Sequence, residues 1–167
     1  NFVMGGSQRI LQDVAVGLSK AGHGVKVLCS NRPENKSGFF LAPNVYVDPC
    51  LQLKGTFPAP YETAPHRLMN TWRSIQFAAQ DVDRVYLHAD SVYMRDALKN
   101  LPVIRSLHDF VYEESLVSAF TMSADLTIVP SEYLRKCILE TAGKVKPIGP
   151  IHVIPNGVEG LTHTSTN

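Results

Sequence analysis

Between Ser7 and Ala21 apolar residues return every three or four positions: Ile10, Leu11, Val14, Ala15, Leu18 and Ala21. That spacing places them on one side of a helix and predicts an amphipathic α-helix there. Gly5-Gly6 stands at its start, and Gly22 just past its end, where a glycine commonly stops a helix. The period then changes. Gly24-Val25-Lys26-Val27-Leu28-Cys29 reads as a short buried strand, Asn31 to Gly38 as loop, and Asn44 to Val47 as another short strand. From Cys50 to His66 there is no period, and Pro58, Pro60 and Pro65 sit among Gly55, Thr56 and Thr63. This predicts a long loop, and loops of such length are usually functional or mobile. Helical spacing resumes with Leu68, Trp72, Ile75 and Ala79.

Downstream, strands are predicted at Arg84–His88, Pro102–Leu107, Asp125–Val129 and Ile151–Ile154. Helices are predicted from Ser91 to about Leu98, between Glu113 and Met122, and from Ser131 to about Thr141. The strands are nearly continuous Val, Ile and Leu, which is the pattern of a parallel sheet covered on both faces. Alternation with helices predicts an α/β, doubly wound, Rossmann-like sheet. Ligands bind beyond the carboxyl ends of such strands. The residues there are Cys29-Ser30, His88-Ala89-Asp90, His108-Asp109, Pro130-Ser131 and Pro155-Asn156-Gly157. A doubly wound domain usually opens with a strand running into its glycine loop. Here Asn1 stands almost at Gly5-Gly6, so the expectation is that the first strand is missing from this chain or that its pairing is taken by something else. Gly160 to Asn167 has no core-forming pattern and reads as a tail or truncated linker.

Composition narrows the function classes. The 167 residues suit one domain. Sixteen basic against fifteen acidic side chains leave a net charge of +1, which removes the argument for a nucleic-acid partner. No apolar run approaches the roughly 18 residues of a membrane span. The N-terminus is neither a signal nor a transit peptide. Cys29, Cys50 and Cys137 form no CxxC, so neither a disulfide scaffold nor a cysteine zinc site is expected, and a cytoplasmic location is. No histidine pair has metal-ligand spacing, and no metal site is expected.

Five segments in order resemble one family. They are Gly5-Gly6-Ser7-Gln8-Arg9 with Leu18 to Leu28; Asp83 to His88; Val103 to Asp109; Ala124 to Arg135; and Ile151-His152-Val153-Ile154-Pro155-Asn156-Gly157-Val158-Glu159. Together they resemble the retaining glycosyltransferases of family 4, which have the GT-B fold of two Rossmann-like domains meeting at a cleft. The resemblance covers Gly5 to Glu159, the N-terminal, acceptor-side half. It implies residues 1–159 as that domain, 160–167 as tail, and a C-terminal donor-binding domain that is absent here. The isolated chain is therefore expected to be folded but inactive.

The resemblance also gives the polar positions roles. Gly5-Gly6 ahead of a helix is physically an anion site, because glycines admit close backbone approach and the helix dipole favours negative charge; in the family this loop faces the donor diphosphate, and Arg9 could add charge there. The alternatives are a plain tight turn and a solvated helix arginine. The matching histidine in the family sits beside the donor sugar, which makes His108 the foremost catalytic candidate, with Asp109 beside it. A structural His-Asp pair capping the next helix is the competing account. His88, Ser131 and Asn156 are candidates to line the cleft, with Ser131 most simply an N-cap and Asn156-Gly157 a turn. The segment Cys50–His66, with Phe57 and Tyr61, is either an acceptor-binding flap or a surface insertion.

Two functions stay open at this point. In the first, the full-length enzyme transfers a hexose with retention from a nucleotide-diphosphate sugar to a hydroxyl acceptor. It needs no cofactor, and peripheral contact with a membrane surface stays open. In the second, a non-catalytic Rossmann-like module binds a phosphorylated ligand or a partner.

Overall fold

Among the described residues of the computed structural model, every strand pairing is parallel. The structure describes residues 6–36, 42–52, 64–88, 95–109, 124–145 and 148–157. The strands are β1 (Val25–Ser30), β2 (Val45–Leu51), β3 (Val85–His88), β4 (Val103–Ser106), β5 (Leu126–Val129) and β6 (Ile151–Val153). The helices are α1 (Gly6–Lys20), α2 (Pro65–Ala78), α3 (Glu132–Glu140) and the short α4 (Ala142–Val145). The strands form two sheets, β1-β2 and β3-β4-β5-β6. Among the described residues no strand joins the two. The expected parallel α/β architecture is thus present, with its sheet in two pieces.

α1 ends where the glycine stop was expected. Gly22 has φ +89°, a left-handed conformation that a side chain resists. Its amide donates to Ser19 O, and the next amide, of His23, donates to Leu18 O, so two terminal carbonyls are satisfied. The inner face of the helix is narrower than its apolar spacing suggests. Ala15 and Ser19 are buried and Leu11 packs with Ala15 against Val27 and Cys29, whereas Leu18 is 39% exposed.

Two boundaries of the proline-rich segment differ from expectation. β2 runs on through Cys50 and Leu51. Pro49 is accommodated because the pairing with β1 slips there: Leu28 pairs Asp48, and Ser30 pairs Leu51, so the missing amide falls in an irregularity of the ladder. At the other end α2 begins at Pro65, with proline in its first turn, where no intrahelical amide bond is needed. Residues 53–63, including Phe57, Pro58, Pro60 and Tyr61, lie outside the described residues. Asn31 to Gly38 is not all loop, since Pro33–Lys36 forms one 3-10 turn. Arg95–Leu98 is a 3-10 turn where an α-helix from Ser91 was expected; 91–94 and the helix expected between Glu113 and Met122 lie outside the described residues.

Helices lie on both faces. Leu51 of β2, Ile75 of α2, Leu87 of β3 and Val103 of β4 share one core cluster, which Leu28 of β1 joins from its edge. Val27 and Cys29, on the opposite side of β1, pack against α1. Leu107 and Val129 are covered by Leu134 and Ile138 of α3. Side chains alternate in direction along a strand, so Tyr86 and His88 point away from the α2 core that Val85 and Leu87 enter. This alternation turns the polar residues of β3 toward the start of α1.

Candidate functional site

At the carboxyl end of β3 and β4, the first turn of α1 meets His88, and His108 packs beside that ring. His88 and Ser106 are register partners on neighbouring strands. Two residues beyond Ser106 the chain places His108 beside His88, with ring centroids 4.5 Å apart and planes tilted by 43°. His88 Nε2 lies 2.7 Å from the carbonyl oxygen of Ser7 and 2.9 Å from its hydroxyl. The carbonyl can only accept, so Nε2 carries the proton and donates. Nδ1 is then a bare acceptor, and the Tyr86 hydroxyl lies 3.4 Å from it. Ser106 Oγ is 3.0 Å from His108 Nε2. His108 Nδ1 is buried and has no hydrogen-bond partner among the described residues.

The cluster holds both rings neutral near pH 7. Burial pushes His88 down to about 4, the adjacent His108 pushes the same way, and the bond to the Ser7 carbonyl opposes them. His108 is also lowered by burial, against the attraction of Asp109. Burial raises the Tyr86 phenol, partly offset by its hydrogen bond with Ser106. Neutral imidazoles here can donate and accept hydrogen bonds without introducing charge. Fixed positive potential comes instead from the start of α1, whose first amides have no intrahelical partner.

The remaining candidates fall in two groups. Gly6 is the first residue of α1 and leads directly to Ser7 and the histidines, whereas Gly5 lies outside the described residues. Arg9, one turn in, is exposed and pairs with Asp13 at 3.5 Å. Asp109 follows His108 at the same strand end, partly buried. Ser131 follows β5 and caps α3, its Oγ accepting the amide of Leu134 at 3.2 Å. Asn156 is exposed beyond β6. The histidine pair's partners given above are Ser7, Tyr86 and Ser106, none of which the sequence pattern singled out. A signal existed for two of them. Tyr86 precedes His88 by two, and Ser106 precedes His108 by two, so strand alternation alone puts each pair on one face.

A parallel α/β sheet with polar side chains and a helix start gathered at its carboxyl end defines a ligand-binding domain of the doubly wound class. Residues 4–159 match the model of Glycosyltransferase Family 4, and the chain belongs to that family. No curated protein and no solved structure gave a match. The domain is therefore a glycosyltransferase domain. No helix among the described residues is long and apolar enough to cross a membrane.

Proposed function

We propose that the intact enzyme transfers a hexose, with retention, from a nucleotide-diphosphate sugar to a hydroxyl acceptor. One observation carries this: the glycine-led start of α1 and His108, far apart in the chain, converge through His88 at one strand end. The donor diphosphate lies against Gly5, Gly6 and the first amides of α1, where helix dipole and free N–H groups stabilise the charge that grows as it departs. Arg9 adds a cation if it leaves Asp13. His108, with a buried nitrogen lacking a partner among the described residues, holds a sugar hydroxyl and fixes the anomeric carbon in place. The acceptor oxygen bonds to that carbon from the leaving-group face as the bond to the diphosphate breaks, and the acceptor proton passes to the departing phosphate. Asp109, Ser131 and Asn156 line the rim. A second α/β domain, carrying most donor contacts, closes the cleft, no cofactor takes part, and the enzyme works in the cytoplasm. Contact with a membrane surface, if made, falls on the outer face of α2, where Met69 and Phe77 are exposed.

The test is transfer by the full-length protein from a panel of nucleotide-diphosphate sugars to hydroxyl acceptors, with the product's anomeric configuration read by NMR. Retained configuration supports the proposal, inverted configuration removes its stereochemistry, and a folded protein that binds nucleoside diphosphates without transfer favours a binding module. His108→Ala should cut kcat and kcat/KM together by about 10²-fold.

A further inference from the structure

His88 makes contacts unlike those of a residue free to meet substrate. Its Nε2–H reaches both oxygens of Ser7, at 2.7 and 2.9 Å. Its Nδ1 faces Tyr86, and its ring packs on His108. All of these partners are protein groups. Ser7 is the second residue of α1, and its carbonyl is the one that the Leu11 amide reaches in helical geometry. Gripping that oxygen therefore fixes the axial direction and rotation of the helix's first turn. From this geometry we infer that His88 is a positioning residue: its Nε2–H clamps Ser7 so that the first amides of α1 and the ring of His108 keep one mutual placement.

The chemistry suits the task. A neutral imidazole donates to Ser7 without placing a cation under the positive end of the helix, whose dipole would repel it. A lysine or arginine making the same contact would carry that charge. The Ser7 carbonyl, which can only accept, selects the tautomer in which Nε2 bears the proton, and the Tyr86 hydroxyl is left to donate to the opposite nitrogen. The ring contact with His108 passes the placement on to the residue assigned to the sugar. Small displacements matter in such an arrangement, because donors act on a developing charge only over hydrogen-bond distances.

This inference rests on the proposed site for a diphosphate at α1, so its test has one arm that needs no ligand. His88→Gln carries an N–H close to the Nε2 position, whereas His88→Asn places its N–H near Nδ1 and falls short of Ser7. Both variants are made in the full-length protein. In the first arm, amide hydrogen exchange is followed at residues 10–12, whose partners are the carbonyls of the first turn. Asn should speed exchange there at least fivefold, with Gln staying within twofold of wild type. In the second arm, UDP and GDP binding is measured by calorimetry. Asn should weaken binding at least tenfold, and Gln should restore it to within threefold. If Asn and Gln behave alike in the exchange arm, the clamp is overturned whatever the binding shows. If exchange follows the expected order while wild type binds neither nucleotide, the clamp stands and the diphosphate site fails. If exchange follows that order and binding is equally tight in all three proteins, the clamp exists but does not serve the site, and the inference is overturned. An Asn variant too unstable to purify is replaced by His88→Ser, which also lacks the reach.

Discussion

The carboxylate of Asp125 accepts the first amide of β4, with Oδ2 2.7 Å from Val103 N. The backbone amide of Asp125 returns a bond to Val103 O at 2.9 Å. Arg95, whose Nη1 donates to Leu101 O, brings its other nitrogen to 3.5 Å from the same carboxylate oxygen. One side chain thus ties the entry of β5 to the entry of β4, with Val103 itself fully buried.

Removing that acceptor leaves a buried strand-end amide without it. Asp125→Ala is expected to destabilise the fold by about 1.5–3 kcal/mol, the range for hydrogen bonds to charged groups. Asp125→Asn keeps an acceptor oxygen and should lose less. Urea denaturation of the two variants checks the order. Equal losses would mean that the charge on Asp125, and not its bond to Val103, supplies the stability.

Acid should weaken the fold through His88. In the unfolded chain it takes a proton below about pH 6.5, whereas burial beside His108 holds the folded group to about 4. Between those values the unfolded state binds more protons, so this contribution is full above pH 6.5 and is lost as pH falls toward 4. The loss is on the order of 3 kcal/mol at most. His108, lowered by burial, acts in the same direction. His88→Gln removes one of these groups and should flatten stability against pH over that window, read as urea midpoints at pH 7, 6 and 5. A slope equal to wild type would show that His88 is not buried neutral.

Gly6→Ala separates folding from ligand approach. Among the described residues, a Cβ at Gly6 would meet no atom within 4 Å. Its main folding effect is lower entropy in the unfolded chain, worth about 0.4–1 kcal/mol of added stability. The same methyl stands where a phosphate would approach the helix start. The variant should melt a few degrees higher and show a raised KM for the donor, with kcat changed less. A raised Tm with unchanged KM would make Gly5-Gly6 only the start of a helix.

Ile75 and Phe77 sit two residues apart on α2 and should respond oppositely to truncation. Ile75 is 5% exposed within the core shared by β2, β3 and β4, and Phe77 is 73% exposed. Ile75→Ala is expected to cost about 2–5 kcal/mol. Phe77→Ser should stay within about 0.5 kcal/mol of wild type. A large loss at Phe77 would mean that another surface covers this face of α2 in solution.

What the sequence determined by itself was local and periodic. The three- and four-residue spacing of α1, the glycine at its end and the short Val/Ile/Leu runs of β1, β3, β4, β5 and β6 are each legible within a dozen residues, because each depends on backbone geometry that repeats over that distance. With the rule that parallel sheets bind ligands at their carboxyl ends, they placed His88 and His108 among the strand-end residues, and the family resemblance put His108 foremost in that set. The tertiary structure decided what depends on partners far along the chain. Pro49 lies inside β2 because the ladder to β1 slips there, and only pairing reveals a slip. Leu18 turns outward although its spacing is apolar, because β1 and β2 meet the helix along Leu11 and Ala15. Ser7 reads as an ordinary first-turn serine until His88, 81 positions away, reaches both its oxygens. A hydrogen bond between distant segments leaves no trace in the local pattern of either, since any small polar residue would satisfy that pattern as well. Only the packing of α1 over the end of β3 makes these two residues a pair.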